Sequence, residues 1–126
     1  MGTLGRDFKK ILAWKLADDL AVHVYEVTRD FPSYELYGLV SQLRRAAVSV
    51  PANIAEGASR KNRREFLQFL YIAKSSLAEV DYCLHLALRL GYLGADLYGK
   101  MDAAKEEVAR VLRGLMKAVE GVRRNA

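Results

Sequence analysis

The stretch LYGLVSQLRRAAVSVPANIAEG, from Leu36 to Gly57, decides the fold. Leu39, Leu43, Ala46, Ala47, Val50 and Ile54 recur at three- and four-residue steps, which places them on one face of a helix and fits no strand. The helix begins near Leu36, and Gly57 reads as its C-terminal stop. Pro51 falls inside the pattern. It cannot donate to the Ala47 carbonyl and it crowds that group, so a bend near residues 47 to 51 is expected. The apolar phase runs on through the proline, which favours one bent helix over two separate ones.

Three further segments share this periodicity. Before the central stretch, Ala13, Leu16, Ala17, Leu20, Val24, Val27, Thr28 and Phe31 predict a helix from about residue 10 to residue 30, ended by Phe31-Pro32-Ser33. After it, Asn62 followed by Glu65 resembles a capping box. Phe66, Phe69, Leu70, Ala73, Leu77, Val80, Leu84 and Leu88 then repeat with a near-heptad period, and Gly91 closes the third helix. A second stripe of Ile72, Ser76, Cys83, Leu86 and Leu90 widens its apolar face. The fourth helix takes Asp96 as its cap and carries Leu97, Met101, Ala104, Val108, Val111, Leu112, Leu115, Val119 and Val122. Its acids (Asp102, Glu106, Glu107) come early and its bases (Arg110, Arg113, Lys117, Arg123, Arg124) late, as the helix dipole favours. Short connections between long helices predict an all-α, antiparallel up-and-down four-helix bundle, packed left-handed.

The chain has 126 residues, 52% of them apolar, and one domain spanning residues 1 to 126 accounts for that length. Cys83 is the single cysteine, which excludes an internal disulfide and fits a reducing cytoplasm. Arg6, Asp7, Lys9, Lys10 and Lys15 interrupt any secretory apolar run near the start. No apolar run approaches the roughly 20 residues of a membrane span.

The net charge is +5, and all of it lies between residues 44 and 64. There Arg44, Arg45, Arg60, Lys61, Arg63 and Arg64 face one acid, Glu56, while the rest of the chain balances. Such a localised excess points to an anionic partner. Four of these cations lie before and inside the first turn of the third helix, where they oppose its dipole and where free N–H groups suit a phosphate. On the second helix, Gln42, Arg45, Ser49, Asn53 and Glu56 form a polar wall. Ser41, Val48, Ala52 and Ala55 form a small, nearly uncharged back face. Small residues allow close helix approach, so Val48, Ala52 and Ala55 mark an expected subunit interface.

Other chemistries find little support. A di-iron bundle needs Glu-x-x-His on two helices, and neither His23 nor His85 follows a Glu at that spacing. Asp19/His23 and Asp81/His85 have the spacing of surface pairs. Cys83 has no cation near in sequence to lower its pKa. There is no Gly-rich phosphate loop and no nucleophile elbow. No catalytic residue, metal or cofactor is assigned, and no aromatic row suggests single-strand stacking.

The run Tyr37-Gly38-Leu39, followed by Gln42 through Gly57, resembles bacterial four-helix-bundle proteins encoded in intervening sequences of large-subunit ribosomal RNA. Trp14 with Ala17, Phe31-Pro32, Glu65-Phe66, Phe69-Leu70, Ser76-Leu77-Ala78-Glu79 and Leu90-Gly91-Tyr92-Leu93 support it. That family is similar to accessory proteins of diversity-generating retroelements. The resemblance implies a homopentamer with a basic surface, associated with nucleic acid and a reverse transcriptase, and no enzymatic activity. The expected function is therefore an oligomeric, cytoplasmic, non-enzymatic scaffold whose basic side chains contact RNA or DNA backbones. The alternative is a protein-interaction module that does not bind nucleic acid.

Overall fold

The computed structural model describes residues 7–125, with side chains through Gly121, so Arg6 and the side chains of Val122, Arg123 and Arg124 lie outside the described residues. Four helices account for nearly all of it: α1 (Leu12–Thr28), α2 (Leu39–Ala58), α3 (Arg63–Arg89) and α4 (Ala95–Asn125). Short 3-10 turns at Phe8–Lys10 and Ser33–Glu35 precede α1 and α2. Each helix packs on the next in sequence, and α4 also packs on α1, so the four form an all-α bundle. No strand occurs among the described residues.

The expected stripes meet in one core. On α2, Leu39, Leu43, Ala46, Ala47, Val50 and Ile54 are all buried. Leu20 and Val24 of α1, Leu70, Val80 and Leu84 of α3, and Val108 and Leu112 of α4 join them. The second stripe of α3 divides: Cys83 is buried, Leu86 is half-buried, and Ile72 and Leu90 are exposed. The α2 helix runs unbroken through Pro51, which is itself buried.

Local chemistry sets the helix ends. The Asn62 side chain accepts the Glu65 N–H at 2.8 Å, capping α3 as its spacing predicts. Gly91 has φ of 78° and ends α3 in a Schellman motif. The Gly91 N–H bonds the Leu88 carbonyl, and the Tyr92 N–H bonds that of Ala87. At α2 the start is later than the pattern suggests. Glu35 accepts the Leu39 N–H at 3.0 Å, so the first orphan donor is met by a side chain of the preceding turn. Its other carboxylate oxygen accepts the Tyr92 hydroxyl at 2.8 Å, tying the α1–α2 and α3–α4 connections together. Helix α4 begins at Ala95, so Asp96 lies in the first turn instead of serving as the cap.

Gly57 does not stop α2. It lies inside the helix and is buried where α2 meets α3. A methyl group there would stand 2.8 Å from Phe69 Cβ, 2.9 Å from Phe66 Cδ1 and 3.2 Å from the Phe66 carbonyl oxygen. The glycine is needed for close helix approach, not for a left-handed turn.

Gly57→Ala is expected to destabilise the bundle by about 1–2 kcal/mol, because overpacking outweighs alanine's gain of about 1 kcal/mol in helix propensity. Gly114, with open space around its Cβ position, is the control: Gly114→Ala should raise the Tm, while Gly57→Ala lowers it by roughly 3–10 °C. Thermal unfolding followed by circular dichroism makes the comparison.

Candidate nucleic-acid interface

The six basic residues form two groups, not one. Arg44 and Arg45 sit in the second turn of α2; Arg60, Lys61, Arg63 and Arg64 surround its far end and the start of α3. Fifteen residues separate Arg45 from Arg60, about 22 Å at 1.5 Å per residue. The contiguity seen in sequence is stretched along a helix.

Within each group the residues divide by role. The Arg44 guanidinium lies 4.6 Å from the Tyr25 ring centroid. Its Nε donates to the Thr28 hydroxyl at 2.9 Å, and that hydroxyl donates in turn to the Val24 carbonyl at 2.7 Å. Arg44 thus fastens α2 to the end of α1. Arg45 is exposed. At the other end Arg60 pairs with Glu56 and stacks 4.8 Å from the Phe69 centroid. Lys61 and Arg64 are exposed, and Arg63 is half-buried. Its Nε is buried without a hydrogen-bond partner. The outward cations are therefore Arg45, Lys61 and Arg64, and Arg63 is half-buried.

The polar wall of α2 splits likewise. Ser49 and Ser76 hydroxyls meet at 2.7 Å across α2 and α3, and the Asn53 amide donates to the Ser49 carbonyl at 2.8 Å. Gln42, Arg45 and Glu56 face solvent. On the back face Val48 and Ala52 are exposed and Ala55 is half-buried.

The remaining candidates take structural places. Among the described residues no three His, Cys, Asp or Glu side chains gather as metal ligands. Asp81 pairs with Lys105, not with His85. Cys83 is buried; burial first and the Glu79 charge second push its pKa up, which holds the thiol protonated. Among the described residues no helix is long and apolar enough to cross a membrane.

Sequence reasoning missed Lys105. Only 4% of this residue is exposed, and its Nζ bonds Asp81 at 2.8 Å, Asp102 at 3.0 Å and Glu106 at 2.7 Å. Burial alone would lower its pKa, but the hydrogen bonds it donates to Asp81, Glu106 and Asp102 more than offset that and hold it above the ordinary lysine range. The signal was present: Met101, Lys105, Val108 and Leu112 follow core spacing, with lysine where an apolar residue belongs.

The helices define a small all-α protein of the four-helix-bundle class. The family model of the 23S rRNA-intervening sequence protein matches residues 9–114, and the chain belongs to that family. A solved protein of unknown function from the S23 ribosomal protein family of Bacteroides thetaiotaomicron VPI-5482 shares the fold. Its TM-score is 0.78 at 22% identity, covering 84% of this chain and 96% of that one. No curated protein matches.

Removing Lys105 separates packing from charge. Lys105→Ala is expected to cost about 2–4 kcal/mol, in the range of a large-to-small core change. Lys105→Met, which refills the space, should cost about 1 kcal/mol for the lost ion pairs. Because the folded pKa is raised, that ionic part is full below the unfolded lysine value of about 10.4 and fades as pH climbs above it. Urea titrations of wild type and Lys105→Met from pH 7 to 11.5 should give a gap that is flat at first and narrows at the alkaline end.

Proposed function

We propose that this protein is a non-enzymatic scaffold that associates with nucleic-acid backbones through Arg45, Lys61, Arg63 and Arg64, with Arg44 and Arg60 holding the surface in shape. The observation that carries the reading is the cluster at the start of α3. Lys61 and Arg64 are exposed and Arg63 is half-buried, all at a helix end whose dipole already favours anions. Cations there raise the local cost of folding unless an anion is the partner, and free N–H groups of the first turn suit phosphate oxygens. Contacts of this kind read the backbone and not the bases, so binding is weakly selective for sequence. A protein of the 23S rRNA-intervening sequence family fits an RNA-associated role.

Self-association is the second part of the proposal. Val48 and Ala52 form an exposed, uncharged strip on α2 beside half-buried Ala55, and such small-residue faces suit close contact between copies. A ring of subunits multiplies individually weak phosphate contacts. By resemblance the ring is a pentamer, and a reverse transcriptase is a candidate protein partner.

Two expected outcomes test the two parts. Lys61→Glu with Arg64→Glu should abolish binding to RNA at low salt while helical content and mass stay unchanged. Lys100→Glu, exposed near the start of α4 and so at the far end of α3 from the cluster, should bind nearly as the wild type. Log affinity of the wild type should fall with log salt by about 0.9 per engaged phosphate on a duplex; a flat salt response would refute backbone association. Ala52→Glu should lower the mass measured by light scattering at tens of micromolar, and a wild type that is already monomeric there would remove the assembly.

A further inference from the structure

The α1–α2 corner carries a groove that the basic cluster does not explain. One part, a cleft of about 480 Å³, is lined by Tyr25 of α1, by Leu36 and Tyr37 of the connection, and by Val40, Arg45 and Val48 of α2, among others. A second hollow of about 220 Å³ adjoins it, sharing Leu36, Val40 and Arg44 and adding Arg29. Three guanidinium groups line the pair, and no carboxylate does. Tyr37 is 94% exposed and Tyr25 43%. Among the described residues, Tyr37 makes no aromatic or cation–π contact, while Tyr25 keeps an open face beside Arg44.

Sequence order concealed the grouping. Tyr25 and Tyr37 are twelve residues apart and follow no row along one helix; the turn at Pro32 brings them to the same corner. Tyr25 is also one face of a stack, with the Arg44 guanidinium 4.6 Å from its centroid. The Arg44 Nε bond to Thr28 tethers the guanidinium beside the ring.

We infer that this groove seats an unpaired nucleotide of a single-stranded nucleic acid, with its base against Tyr37 and the Tyr25–Arg44 pair and its phosphate beside Arg29 and Arg45. The inference rests on the backbone-binding reading above and deepens it. A π-faced anion satisfies both halves of the groove at once, because every base has a face to stack and every nucleotide a charge to pair. A duplex keeps its bases stacked on one another and offers the groove only phosphate. The basic cluster at the start of α3 lies about 22 Å away along α2, so one strand can touch both places.

The test compares single-stranded oligouridylate with duplex RNA of equal length, by fluorescence anisotropy on the full chain. Tyr37→Ala should weaken single-strand binding by about tenfold, within the range for loss of one stacked base, and leave duplex binding and the salt slope unchanged. Tyr37→Phe should restore it. A photoactivated 4-thiouridine oligomer should cross-link to the segment containing Tyr37. Single-strand affinity untouched by Tyr37→Ala, or lost equally for both ligands, overturns the inference and leaves the backbone reading standing. A wild type that binds neither ligand at low salt overturns both. A change of mass on Tyr37→Ala with unchanged RNA binding assigns the groove to a contact between copies and overturns the inference.

Discussion

The close approach of α2 to α3 at Gly57 is the constraint on which the rest of the molecule depends. With no side chain at that position, the α2 backbone comes against Phe66 and Phe69. This fixes where α3 begins relative to the end of α2. The stacking of Arg60 on Phe69 goes with that placement. Further along the same seam, Ser49 and Ser76 meet as hydroxyls, so the register set at one end is carried down the helix pair. Packing of this kind has little slack, because interiors are as dense as organic crystals and a methyl group has nowhere to go.

Polar groups inside the bundle are handled by pairing. Lys105 takes a core position yet keeps its charge, since three carboxylates reach it from α3 and α4. Thr28 turns its hydroxyl back to its own helix and offers the oxygen to Arg44. These contacts are partly buried, and they cross between helices where apolar packing alone would leave rotation about the helix axis less determined. A single ion pair on the surface would contribute little; Lys105 differs because its ammonium is withdrawn from water.

The basic residues show how one residue type serves two purposes. Arg44 and Arg60 spend their guanidinium faces on Tyr25 and Phe69, and Arg60 also pairs with Glu56. Arg45, Lys61 and Arg64 project outward. Counting charges along the chain could not separate these roles, because exposure depends on which neighbouring helix a side chain meets. The same ambiguity hid Lys105 among ordinary surface lysines.

What the sequence determined by itself was local and periodic. The four helices, their apolar faces, the Asn62 cap and the Gly91 stop are all legible, because hydrogen bonding within a turn and the 3.6-residue repeat act between neighbours in sequence. The candidate cations were legible as types and positions. Only the tertiary structure decided that Gly57 is a contact and not a stop, that Asp81 belongs to Lys105 and not to His85, and that the basic stretch is two groups along α2. It alone brought Tyr25, Tyr37 and three arginines to one corner. Each of these depends on the rotation and register of one helix against another. That geometry is set by how whole faces interlock, and no short-range pattern along a single helix contains it.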